Sequence, residues 1–208
     1  MYELTKELPT AYCYGKTKLR LNMAFDVVLR VFDAMHEDDF SEGDKVEVSL
    51  RLLVRNYRAI GKLPIGTQTI ILKSIFEEFI QPSKKNSKST VKLYDFAKDA
   101  PYIYASFLQA YGIDLCEQRG KLHWWKFIAM FLSLPKDTKM SEIQVIRQRK
   151  IPAPNKHNQE EIRALQEAKR YYALDDDEAD FDTALGNLFD LLEKNAKQGG
   201  DDHGRRQS

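Results

Sequence analysis

The sequence predicts a mostly α protein: a multi-helix bundle with a short N-terminal β-hairpin and an extended C-terminal helical appendage. Three observations carry that expectation. Apolar residues recur at spacings of three and four through most of the 208 residues. Short alternating runs around a glycine turn occur convincingly only in the stretch 8–21. Residues 94–131 hold both tryptophans and ten of the 23 aromatics, in a stretch that reads as two helices joined by a short loop.

The elements run in order along the chain. Ala11 to Tyr14 and Lys18 to Leu21 flank Gly15-Lys16-Thr17, which reads as a hairpin that must pack on a helix, because two strands alone are marginal. Asn22 is placed to cap a first helix through Ala24, Val27, Val28, Val31, Phe32 and Met35. Val46, Leu50, Leu53, Val54 and Tyr57 mark a second, ended by Gly61 and Pro64. Thr67 opens a third, with Ile71, Leu72, Ile75, Phe76 and Phe79 on one face, stopping before Pro82. Asp95 or Asp99 caps a fourth, Pro101 falls in its first turn, and Gly112 closes it. About Lys121 to Leu134 forms a fifth, apolar nearly all round and so buried or covered by a partner. Thr138 caps a sixth, whose basic last turn of Arg147, Arg149 and Lys150 suits the negative end of a helix. Ile162, Leu165, Lys169 and Tyr172 trace a seventh, and Phe181, Leu185, Leu188 and Leu192 an eighth with a coiled-coil-like seam.

These elements segment the chain. Residues 1–82 form the hairpin and a helical unit, and 83–90, SKKNSKST, a flexible linker or surface loop. Residues 91–172 form an aromatic-rich helical unit, 173–196 an acidic spacer with the amphipathic eighth helix, and 197–208 a disordered tail. The linker separates either two domains or parts of one domain. Net charge is +1, but residues 173–208 carry ten acids and four bases, against 21 and 28 in residues 1–172. An acidic end on a basic body either solubilises or docks.

No motif for catalysis emerges, and the expectation is a non-enzymatic protein without metal or cofactor. The four histidines show no HExxH pattern, and Cys13 and Cys116 have no CxxC spacing, which fits a reducing cytoplasm. His123 beside Trp124-Trp125 reads as a helix-start imidazole bonded locally rather than a general base. Gly15-Lys16-Thr17 lacks the upstream glycine of a phosphate loop. The run Asp175 to Glu178 lacks calcium-loop register. Basic patches at Lys84-Lys85 and Arg147 to Lys150 lack interleaved aromatics, so nucleic acid is not an expected partner. No signal peptide or membrane-length apolar run is evident, so no membrane role is expected.

Tyr94-Asp95-Phe96-x-x-Asp99-Ala-x-x-Ile103-Tyr104-Ala-Ser-Phe107, then Tyr111-Gly112-Ile-Asp114-Leu115, then Leu122-His123-Trp124-Trp125-Lys-Phe127 resemble the core of the gene-product-fifteen family of long-tailed phages and prophages. The N-terminal Leu8, Pro9, Asn22 and Phe25 are similar too, and the likeness spans about residues 4–194, with Pro101 a local departure. The resemblance implies a tail assembly chaperone in the host cytoplasm. Such a protein coats the apolar tape measure protein, helps recruit tail-tube subunits, is absent from the finished virion and brings no catalytic residues. Self-association into homo-oligomers is compatible with that role. The expected partner-binding stripe is Phe181, Leu185, Leu188, Phe189 and Leu192. The alternatives are a structural tail or neck protein retained in the virion, and a nucleic-acid-binding phage regulator.

Overall fold

The computed structural model describes residues 5–80 and 92–174. Among them are seven α-helices and one two-stranded antiparallel sheet. They fall into two compact units, residues 5–80 with 120–125, and residues 92–119 with 126–174. The segmentation read from sequence keeps 120–125 with the residues after the linker. Side chains and backbone of that hexapeptide instead engage the first unit. The expected eighth helix lies outside the described residues.

In the first unit, β1 (Ala11–Tyr14) and β2 (Thr17–Arg20) pair from Ala11 opposite Arg20 to Tyr14 opposite Thr17. The turn is therefore two residues, not three, and Thr17 belongs to β2. Gly15 takes φ 57°, as a type II′ turn requires at its first central position. Leu19 is buried between exposed Lys18 and Arg20, the period-two pattern of a half-buried strand. Arg55 and Asn56 cover the free edge of β2. Arg55 N–H donates to the Arg20 carbonyl (2.8 Å), and the Asn56 side chain accepts from Arg20 N–H (2.7 Å) and donates to the Lys18 carbonyl (3.0 Å).

Helix α1 (Phe25–His36) buries Val27, Val28, Val31, Ala34 and Met35 along one stripe. It starts after Ala24, later than an Asn22 cap predicts. Asn22 instead donates its N–H to the Leu53 carbonyl (2.7 Å) and accepts from Arg55 Nη2 (3.0 Å). Helix α2 (Glu42–Leu53) opens on a capping box: Ser41 Oγ accepts from Asp44 N–H (3.2 Å), and Asp44 Oδ2 accepts from Ser41 N–H (3.1 Å). It ends before Tyr57, because Val54 pairs with Leu21 and residues 57–59 turn as a short 3-10 helix. Helix α3 (Ile65–Ile75) starts behind Pro64, so Thr67 sits in its first turn rather than capping it. A five-residue π-helical stretch, Phe76–Ile80, continues it.

The second unit contains α4 (Ala100–Tyr111), α6 (Lys139–Gln148), α7 (Gln159–Tyr171) and most of α5 (Trp124–Leu132), whose first two residues group with the first unit. Gly112 ends α4 at φ 64°, with its N–H on the Leu108 carbonyl (3.0 Å), the left-handed stop expected of it. Phe107, Phe127 and Phe131 are fully buried and stack, with centroids 5.2 Å apart for Phe107–Phe127 and 6.3 Å for Phe127–Phe131. α6 packs on both α4 and α7.

Leu50 is wholly enclosed, whereas Ile70 keeps 58% of its surface exposed. Leu50→Ala is expected to cost about 2–5 kcal/mol in chemical denaturation, through lost transfer energy and a cavity. Ile70→Ala on the same unit is expected to stay within roughly 0.5 kcal/mol.

Candidate functional site

The aromatic block singled out by sequence is largely absorbed by the fold. His123 precedes α5 and caps it: Nδ1 accepts from Trp125 N–H (3.1 Å), which leaves the proton on Nε2 to donate to the Pro9 carbonyl (3.1 Å). This is the locally bonded imidazole expected from sequence, with a second bond 114 residues away. Trp124 Nε1 donates to the Ile80 carbonyl (3.1 Å) and Trp125 Nε1 to the Phe79 carbonyl (2.5 Å). Two adjacent indoles thus donate to carbonyls at the end of the π-helical stretch. The Trp124 ring also meets Phe32 edge-on at 5.6 Å. Around them, Phe25 N–H donates to the Leu122 carbonyl (2.9 Å), Trp124 N–H to the Met23 carbonyl (2.7 Å), and Gly120 N–H to Asp26 Oδ1 (2.7 Å).

In the second unit the aspartates of the motif organise backbone and charge. Asp95 Oδ1 accepts from Ala97 and Lys98 N–H, both at 2.9 Å, while Oδ2 pairs with Lys92 Nζ (2.8 Å). Burial pushes this carboxyl up, but the Lys92 ammonium and the Lys98 and Ala97 N–H groups together outweigh burial and hold it below the usual aspartate range. Asp99 immediately precedes α4 but its side chain makes no cap to that helix. It accepts from Asp95 N–H (2.9 Å) and takes a two-pronged bond from Arg147, Nη1 to Oδ2 at 2.6 Å and Nη2 to Oδ1 at 2.8 Å. Arg147 also donates to the carbonyls of Leu93 (3.0 Å) and Tyr172 (2.8 Å). Both side chains are buried, at 7% exposure for Arg147 and 2% for Asp99.

Sequence reasoning places Arg147 in the last turn of a helix, where it lies, but does not anticipate that its side chain is buried in an ion pair. The signal is present: Met140, Ile143 and Arg147 fall at i, i+3 and i+7 of one buried stripe, so the charge has to face inward. Arg149 behaves as expected of a surface base and pairs with Glu161.

The remaining motif residues are structural. Tyr104 hydroxyl donates to Asp114 Oδ2 (3.2 Å), and that carboxylate, with some loss of hydration, pushes the phenol up. Asp114 Oδ1 accepts from Cys116 N–H (2.8 Å) in an Asx-type turn. Tyr111 hydroxyl reaches the Met130 (2.9 Å) and Ser133 (3.2 Å) carbonyls of α5 and its end. Tyr94 and Phe96 pack on Phe131, at 4.8 and 5.4 Å. Ile103 and Leu115 are buried.

Apolar surface left outside includes Leu108, Leu132, Val145, Ile151 and Tyr171 in the second unit, and Phe40, Ile65 and Ile70 in the first. Tyr171 meets Tyr172 edge-on at 4.8 Å, Tyr172 meets Tyr102 at 5.9 Å, and Lys139 Nζ lies 5.3 Å from the Tyr172 ring centre. No spacing rule anticipates this tyrosine cluster, because Tyr102 is so far from the other two in sequence. Phe181, Leu185, Leu188, Phe189 and Leu192 lie outside the described residues. Among the described residues no group of three His, Cys, Asp or Glu is placed to hold a metal ion, and no helix is long and apolar enough to cross a membrane.

The family model described as Bacteriophage Gp15 protein matches residues 4–174. No curated protein and no solved structure matches the chain.

Removing one member of the Asp99–Arg147 pair strands the other. Arg147→Met is therefore expected to destabilise by about 3–5 kcal/mol, and Asp99→Leu with Arg147→Met together to recover only the part due to the stranded charge, because the Leu93 and Tyr172 carbonyls and Asp95 N–H still lose their partners. A double-mutant cycle by denaturant unfolding reads both. A depressed folded-state carboxyl at Asp95 contributes stability above the unfolded aspartate value and loses it as pH falls through the folded one. The stability advantage of wild type over Asp95→Asn should thus be full near pH 7 and shrink below about pH 4, as followed by thermal melts.

Proposed function

The chain belongs to the bacteriophage Gp15 protein family, and on that footing we propose that it is a tail assembly chaperone. In this reading it binds and solubilises the tape measure protein, helps recruit tail-tube subunits, acts in the host cytoplasm without chemistry of its own, and leaves before the virion is finished.

The observation that supports this reading is the division of apolar side chains. The tryptophans and buried phenylalanines of the aromatic block are committed to internal contacts and carbonyl bonds. Apolar groups that remain exposed, such as Leu108, Leu132 and Val145, sit on helices. Dispersed apolar positions on helical surface suit an amphipathic helical client better than a small-molecule pocket, which needs concave enclosure. Each contact is individually modest, and many copies on one long client act through avidity, which also permits stepwise displacement by tube subunits. The stripe Phe181, Leu185, Leu188, Phe189 and Leu192 extends the client-facing set in this proposal.

Co-production with the tape measure protein of the same phage tests the reading. The full chain is expected to raise the soluble fraction of the tape measure protein. Replacing Phe181, Leu185, Leu188 and Leu192 together by serine should reduce that effect. Mass spectrometry of purified virions should not find the chain. Its presence in the particle would move the reading to a structural tail or neck protein.

A further inference from the structure

We propose that the outward face of the hairpin, with the chain that covers its edge, docks an extended carboxylate-rich segment of a partner protein. The inference concerns the first unit alone and stands whether or not the client is a tape measure protein.

Charge is segregated within this unit. Residues 8–22 and 51–64 together carry seven Lys or Arg and no Asp or Glu. The remaining residues of 5–80 and 120–125 carry five and 11. The fold brings the two acid-free stretches together: Leu21 and Val54 form an antiparallel bridge, and Arg55 N–H donates to the Arg20 carbonyl (2.8 Å). Lys16, Lys18, Arg20, Arg55, Arg58 and Lys62 are all exposed. Among the described residues Arg51 pairs with Glu47, and these other six cations make no ion pair.

Register places three of these side chains on one face. Lys18 and Arg20 flank buried Leu19, so both point to the side opposite it, about 7 Å apart along the strand. The Leu21–Val54 bridge sets Arg20 opposite Arg55, and opposed residues of an antiparallel pair share a face. The Arg55 guanidinium donates to Asn22 Oδ1 (3.0 Å), a neutral acceptor that leaves its charge unanswered. Like charges set directly opposite are destabilising. The fold thus carries an unfavourable triad that a bound anion turns favourable. Lys16 in the hairpin turn and Arg58 in the 3-10 turn beside β2 extend the charge.

The chemistry of the face selects a carboxylate-rich peptide over nucleic acid. Tyr12 and Tyr14 lie opposite Leu19 and Thr17, so the hairpin's rings share the inward face, and Tyr12 meets Phe79 edge-on at 6.2 Å. The Tyr57 ring is covered by Arg51, 4.8 Å from its centre. The hairpin therefore offers bases no ring to stack on. The whole chain carries only +1, with ten acids against four bases in residues 173–208, which opposes the approach of a dense polyanion. An extended peptide with acids at alternate residues repeats its charges at the spacing of Lys18 and Arg20. Each guanidinium can take a carboxylate through two N–H groups.

Fluorescence anisotropy with the full-length chain tests this, using a short labelled peptide of alternating Glu and Thr, a labelled DNA duplex of equal net charge, and anionic lipid vesicles as competitor. At low salt the peptide is expected to bind more tightly than the duplex and to resist the vesicles. Arg20→Gln with Arg55→Gln should weaken it about tenfold, while Lys156→Gln with Arg163→Gln should leave it unchanged. Without peptide, Arg20→Gln should melt no lower than wild type, because it removes a like-charge opposition. The proposal is overturned if the peptide fails to bind or binds the Arg20/Arg55 variant equally well. Tighter binding of the duplex, or displacement by vesicles, overturns it in favour of those partners. A clear fall in melting temperature for Arg20→Gln overturns it in favour of a purely structural role.

Discussion

A guanidinium taken out of water has five N–H donors to place, and in the second unit Arg147 uses them to hold groups from different parts of the chain. Both oxygens of Asp99, ahead of α4, take one each, and the Leu93 carbonyl upstream and the Tyr172 carbonyl at the end of α7 are held as well. Desolvating each ion costs several kcal/mol, and only near-complete hydrogen bonding offsets it. The geometry is thus demanding, since α4, α6 and α7 must meet with their correct ends together or the charge is stranded. The stacked phenylalanines bury much apolar surface in this unit but tolerate sliding. The ion pair does not, and it fixes which ends meet.

The first unit solves a different problem by related means. Its third helix continues into a π-helical stretch, and two indole N–H groups from a distant hexapeptide donate to that stretch's last two carbonyls. The hairpin edge is treated likewise by Asn56 and Arg55. In both units donors from remote sequence close backbone gaps that local structure leaves open.

Locality separates the elements that the sequence makes legible from those it does not. The apolar stripe of α1, the Gly112 stop of α4 and the turn at Gly15 are readable because each depends on residues within one or two turns of itself. Asn22 looks like a cap because caps are local. Its side chain instead serves Arg55, a pairing no spacing rule encodes. Tyr57 is misplaced for the same reason, since the Leu21–Val54 bridge decides that boundary, whereas the start of α3 is set by Pro64, a local signal that outranks Thr67. Ser41 with Asp44 is a readable cap hidden in a run that looks like a plain polar break. Arg147 is readable in part, as a charge on an apolar stripe, but its partner 48 residues upstream is not. The family is legible because the motif block is specific. The partner surface is not, because exposed apolar positions are set by which helix faces the fold leaves uncovered.

The His123-Trp124-Trp125 tripeptide carries a consequence for synthesis. Its side chains bind the carbonyls of Pro9, Ile80 and Phe79, all made much earlier. A nascent chain that has emerged only to residue 80 therefore lacks the His123, Trp124 and Trp125 donors to these carbonyls. The unit is finished when translation has delivered residues 120–125, after α4 of the second unit has left the ribosome. Completion of the first unit thus waits on a segment that follows α4 in the sequence.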